Sequence, residues 1–143
     1  MPPSALPDGG APPADGRLPR AALAEVGRRT FGAYVHVPFC RVRCGYCDFN
    51  TYAPGELAGS ASAPATYLDA LAREIDLAAA VLAEAPGRPP LHSVFVGGGT
   101  PTLLPARDLV GILDRLRRVW PLTADAEVTT EANPDSVSPE SLA

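Results

Sequence analysis

Phe31-Gly32-Ala33-Tyr34-Val35-His36-Val37-Pro38-Phe39-Cys40-Arg41-Val42-Arg43-Cys44-Gly45-Tyr46-Cys47 is an apolar run that leads straight into a cysteine cluster. Its first eight residues, rich in β-branched and aromatic side chains, predict a strand over Phe31–Pro38. Two more strands are expected downstream. Leu91–Val96 is closed by three glycines, and Glu127–Ala132 is closed by Asn133-Pro134. Between them the apolar period changes from two to 3.6. Leu68, Leu71, Ile75, Ala78 and Leu82 form one stripe over Thr66–Glu84, with Thr66 and Asp69 as an N-terminal capping signal. Leu109, Ile112, Leu113, Leu116 and Trp120 form another over Arg107–Trp120, with Pro105 near its start. A third helix is expected to begin at Ser138-Pro139-Glu140. Strand and helix alternate, so the expected class is α/β, with about three βα units and a parallel sheet. Such a sheet brings the ends of all three strands to one edge.

The flanking sequence has a different character. Residues 1–27 are rich in Pro, Gly and Ala and lack a periodic apolar stripe, so a disordered leader is expected. Ala53–Ala65, APGELAGSASAPA, reads as a loop. Residues 28–143 then read as one folded unit, the N-terminal part of a longer, truncated α/β barrel. The N-terminus has acidic residues and prolines but no apolar h-region, so it is no secretory signal. No apolar run reaches the roughly 18 residues of a transmembrane helix. A cytoplasmic location is the resulting expectation. A net charge of −4 gives no basic footprint for nucleic acid. Arg115, Arg117 and Arg118 alternate with Leu116 and Val119, as on the wet face of an amphipathic helix.

The three cysteines, Cys40, Cys44 and Cys47, all fall within eight residues. In a reducing compartment such a cluster points to metal rather than to disulfides, and the odd count agrees. The spacing C-x3-C-x2-C lets one loop wrap one metal centre. Three thiolates can hold three irons of a [4Fe–4S] cube and leave the fourth without a protein ligand. A Cys3His zinc site with His36 as fourth ligand is an alternative, and a redox or structural thiol group is another.

Two further segments carry chemistry. Gly97-Gly98-Gly99-Thr100-Pro101 follows the second strand and lets a ligand approach the backbone. It also reads as a plain strand-to-helix turn. No Lys follows it as in a phosphate loop. Alternation on the third strand puts Glu127, Thr129 and Glu131 on one face and Val128, Thr130 and Ala132 on the other. Glu131 alone reads as a solvated strand residue.

The run Tyr34-x-His36-x-Pro38-Phe39-Cys40, with Cys44, Tyr46 and Cys47, resembles the radical S-adenosylmethionine superfamily. Within it the lead-in is similar to the branch of oxygen-independent coproporphyrinogen III oxidases and HemW-type heme chaperones. The likeness covers about Tyr34 to Pro139. It implies a partial TIM-type barrel, a [4Fe–4S] cluster on Cys40, Cys44 and Cys47, and S-adenosylmethionine contacts from Gly98, Gly99, Thr100 and Glu131, with Tyr34 and Tyr46 beside the cofactor. It also implies one-electron cleavage of S-adenosylmethionine to methionine and a 5′-deoxyadenosyl radical, fed by a low-potential electron donor. The oxidase pattern has a fourth cysteine two residues after the third, where this chain has Phe49. Cys47-Asp48-Phe49-Asn50-Thr51-Tyr52 instead resembles the heme-chaperone type. That type implies heme as cargo and a heme-acceptor protein as partner; the oxidase implies a porphyrinogen substrate.

Overall fold

A computed structural model describes residues 11, 13–56 and 64–142. The strands are β1 (Phe31–Val37), β2 (Leu91–Gly98) and β3 (Leu122–Thr130), and the helices are α1 (Arg20–Glu25), α2 (Pro64–Leu82), α3 (Ala106–Val119) and α4 (Pro139–Leu142). Short 3-10 turns occupy Pro101–Leu103 and Pro134–Ser136. The sheet has the order β1-β2-β3, and both pairings are parallel. Three parallel strands alternating with helices match part of a (β/α) barrel.

The pleat sorts the strands into two unlike faces. Val35 pairs with Val96 on the face that α2 and α3 cover, and Val94 with Val128, which is half exposed on the outer strand. Val35, Val37, Val94 and Val96 share one buried cluster with Ile75 of α2 and with Ile112 and Leu116 of α3. Burying each such aliphatic side chain contributes roughly 1.5–3 kcal/mol. Trp120, just past α3, is buried and meets Phe31 edge-on at 5.8 Å between ring centroids. The other face is bare. Tyr34 and Phe95, paired in register, stack there at 6.0 Å with 22° between their planes.

The boundaries of β1 and α3 and the end of α2 lie within two residues of the sequence reading, and four further differences have a physical reason. β2 runs into the glycines, and Gly97 and Gly98 pair with His36 and Val37. Backbone pairing does not need a side chain, so glycine extends the strand. β3 starts five residues earlier than expected and stops at Thr130, because Leu122 already pairs with Leu91. α2 starts at Pro64, which puts Thr66 inside the first turn rather than at the cap. α1 stands within the stretch expected to be a disordered leader. Its residues Arg-Ala-Ala-Leu-Ala-Glu are strong helix formers, and Leu23 is buried. Residues 1–10, and residues 57–63 of the expected loop, lie outside the described residues. Among the described residues no helix is long and apolar enough to cross a membrane.

Candidate functional site

The C-terminal ends of the three strands meet as the parallel pairing requires. β1 leads through Pro38 to Cys40, β2 ends in the glycines, and β3 is followed by Glu131. The segments are tied by backbone hydrogen bonds. Gly99 N–H donates to the Val37 carbonyl (2.8 Å), Thr100 N–H to the Phe39 carbonyl (2.7 Å), and Glu131 N–H to the Val96 carbonyl (2.9 Å).

The glycines are required by what lies against them. The Glu131 carboxylate accepts from the Gly98 N–H at 3.0 Å. A Cβ on Gly97 would stand 2.6 Å from the Phe95 ring and 3.0 Å from that carboxylate. Gly98 has φ +111°, and a Cβ there would come within 2.7 Å of the His36 ring. A Cβ on Gly99 would press into the Phe39 carbonyl and stand 2.9 Å from the Cys40 sulfur. Only residues without a side chain leave room for the carboxylate, the imidazole and the thiol at once.

His36 joins the sheet to the far arm of the cysteine loop. Its Nε2 lies 2.8 Å from the Asn50 carbonyl and its Nδ1 3.0 Å from the Tyr34 hydroxyl. A carbonyl can only accept, so Nε2 carries a proton, and in the neutral ring Nδ1 then accepts from Tyr34. Both ring nitrogens are engaged, so a role for His36 as fourth ligand of a Cys3His zinc site would require one of these bonds to be given up. Tyr67 of α2 donates to the His36 carbonyl at 2.8 Å and packs edge-on against Phe39. Burial pushes its hydroxyl pKa up to about 12. Burial also raises the Tyr34 pKa, with the nearby Glu131 charge adding to the effect.

The loop from Cys40 to Thr51 is pinned at its base. Cys40 N–H donates to the Tyr52 carbonyl (3.0 Å) and Tyr52 N–H to the Pro38 carbonyl (2.7 Å). Arg43 reaches from inside the loop to the Thr51 carbonyl and to Glu56 at 3.0 Å. Glu56 also accepts from Ala53 N–H at 2.7 Å. That backbone bond, then Arg43, holds its carboxyl below the usual range. Cys40 and Cys47 are half-buried, Cys44 is exposed, and all three are free thiols. Tyr46 is 90% exposed. Among the described residues no three His, Cys, Asp or Glu side chains stand in a metal-holding arrangement.

The candidate residues therefore divide. Tyr34, Gly98, Gly99 and Glu131 gather at the sheet edge, with Cys40 against Gly99 and Thr100 bonded to Phe39. Cys44 and Tyr46 stand out on the loop. His36, Arg43, Thr51 and Tyr67 support the site without having been singled out as its supports. His36 shares the Tyr34 face by simple alternation, which was the available signal. The donor set suits a [4Fe–4S] cluster. It offers three free thiols on one pinned loop and a glycine cradle beside Cys40 where a side chain would intrude.

Known proteins place the chain in a family. The profile of the Radical SAM superfamily matches residues 34–143. Heme chaperone HemW of Mycobacterium tuberculosis is 51% identical over 121 residues, covering 85% of this chain and 30% of that protein. Heme chaperone HemW of Escherichia coli is 41% identical over 105 residues, covering 73% of this chain and 25% of that one. The solved coproporphyrinogen III oxidase (HemN) of Escherichia coli, described as a radical SAM enzyme, superposes with a TM-score of 0.66 at 30% identity, over 84% of this chain and 26% of that one. The chain thus spans less than a third of the length of these relatives. The superfamily implies a [4Fe–4S] cluster and S-adenosylmethionine as cofactors. The chain belongs to the radical SAM superfamily.

Proposed function

We propose that this chain forms the cluster- and S-adenosylmethionine-binding part of a heme chaperone of the HemW type. One observation carries the reading: the Cys40 sulfur, the glycine cradle and the Glu131 carboxylate converge at one edge of the parallel sheet. Identity of 51% to a heme chaperone supports the branch, as does Phe49 at the position of the oxidase's fourth cysteine.

In this reading Cys40, Cys44 and Cys47 hold three irons of the cluster and leave the fourth open. When bound, the cluster and S-adenosylmethionine supply one-electron reductive cleavage of a carbon–sulfur bond. The residues of the chain bind and orient. The backbone of Gly98, Gly99 and Thr100, buried to half-buried beside Cys40, would meet the aminocarboxylate end of S-adenosylmethionine. Glu131 stands beside it with one oxygen on the Gly98 N–H and accepts from its ammonium group. Tyr34 flanks the ligand from the bare sheet face. Tyr46, exposed on the cysteine loop, is placed beside the cofactor by the family resemblance alone. His36 keeps the loop's return arm against the sheet through Asn50. A low-potential donor supplies the electron, heme is the cargo, and an acceptor protein receives it. A reducing cytoplasm suits the free thiols.

The structural likeness to HemN favours a second reading, oxidation of coproporphyrinogen III. The test is a heme titration and transfer to an apo-acceptor, set beside anaerobic incubation with coproporphyrinogen III, S-adenosylmethionine and a reductant. Heme binding and transfer without porphyrinogen loss is the expected result. Porphyrinogen turnover would replace the chaperone reading with the oxidase one.

A further inference from the structure

Thr51 is the one polar side chain that is buried among the described residues, 1% exposed. Its hydroxyl lies 3.9 Å from the Cys47 sulfur. A buried hydroxyl without a partner costs roughly 1–3 kcal/mol, so its environment must supply one. We propose that Thr51 Oγ1 donates a hydrogen bond to the Cys47 sulfur and thereby raises the reduction potential of the cluster that Cys47 helps to hold. The inference rests on the cluster reading above and adds to it a residue that positions and tunes rather than ligates.

The backbone fixes the hydroxyl where it is. Thr51 N–H donates to the Phe49 carbonyl at 2.8 Å, and the Thr51 carbonyl accepts from the Arg43 guanidinium. With both main-chain groups tied, the side chain keeps its place beside Cys47. In a free thiol either atom can be the donor. A metal-bound thiolate has no proton, so the hydroxyl must then donate. A hydrogen bond to a ligand sulfur draws off part of its negative charge. Reduction adds one electron, and the bond stabilises the more negative, reduced form more strongly. Burial strengthens the effect, because a low local dielectric screens it less.

The test compares the unchanged chain with Thr51→Val and Thr51→Ser after anaerobic reconstitution, by spectroelectrochemical titration. Valine keeps the shape and removes the hydroxyl; serine keeps the hydroxyl. The expected result is equal iron and sulfide in all three. In Thr51→Val the ratio of reduced to oxidised cluster at a fixed solution potential falls about threefold to tenfold, a tenfold change being ~59 mV for one electron. Thr51→Ser stays near the unchanged chain. A Thr51→Val midpoint equal to that of the unchanged chain overturns the proposal and leaves the cluster reading standing. If Thr51→Val does not retain iron, resonance Raman of the unchanged chain decides. An iron–thiolate stretch that shifts on transfer to D2O supports the bond, and one that does not shift overturns it. An unchanged chain that takes up no iron and sulfide removes the cluster reading, and this inference with it.

Discussion

The glycine edge and the cysteine loop lie side by side but are built in opposite ways. At the glycine edge almost every contact is main chain, or ends on main chain. Gly98 N–H meets Glu131, Gly99 N–H meets Val37, and Thr100 N–H meets Phe39. These bonds come with the parallel sheet, so that half of the site is formed as soon as the strands pair. The cysteine loop is fixed at its base and at its return arm, by Tyr52, His36 and Arg43. Between those points Cys44 and Tyr46 face solvent. Thiol ligands gain their common geometry from the metal they bind, and that binding is coupled to local folding. On the proposed reading, the backbone half positions a ligand and the thiol half is positioned by one.

Substitutions can break this contrast. The largest effect is expected from Cys44→Ala, since two thiolates cannot hold the cube. Iron and sulfide after reconstitution should fall to background, while circular dichroism of the apo-protein stays unchanged because Cys44 is exposed. Gly98→Ala should act on the other half. It forces a side chain to φ +111° and against the His36 ring, at a cost of roughly 1–3 kcal/mol. A clear fall in Tm of the apo-protein is expected; an unchanged Tm would mean that the edge is not rigid. Glu131→Ala should keep the cluster but weaken S-adenosylmethionine binding by about tenfold, in line with the loss of a hydrogen bond to a charged group. Equal affinity in a calorimetric titration would remove Glu131 from the site.

The smallest effect concerns pH. The Glu56 carboxyl lies below its ordinary value of 4.5 because it accepts from Ala53 N–H and from Arg43. A depressed carboxyl contributes stability at pH above its unfolded value. The contribution is lost as pH falls through the lower, folded value. Glu56→Gln should therefore show a slightly shallower loss of Tm than the unchanged chain below about pH 4.5. Parallel curves would mean that the Arg43–Glu56 contact is too solvated to matter.

Much of this was legible in the sequence, for particular reasons. The strand before Cys40 and the glycine run follow from periods and breakers read locally, whereas Glu131 read alone looks like a solvated strand residue and was singled out only by the family resemblance. The parallel fold then forces their C-terminal ends together. The two-faced pleat of β3 also follows from alternation, since Val128 pairs with buried Val94 and Thr129 with Phe95. Contacts across the chain were not legible. Nothing local says that His36 reaches Asn50, that Tyr67 reaches the His36 carbonyl, or that Arg43 closes on Glu56. These are side-chain meetings set by how α2 and the loop pack. Thr51 was hidden for the same reason, because a threonine after Phe49-Asn50 looks like any loop residue until its burial is known. The early start of β3 was missed although Leu122-Thr123-Ala124-Asp125-Ala126 alternates, because alanine and aspartate are poor strand formers; its place comes from pairing with β2.

The central claim is that the cysteine loop holds an iron–sulfur cluster through three thiolates. Its most direct test is the iron, sulfide and zinc content of the anaerobically reconstituted chain, with its ultraviolet–visible spectrum. About four irons and four sulfides per chain, with broad absorption that bleaches on reduction, is the predicted result. A colourless protein with one zinc per chain would contradict it and make the loop a structural metal site.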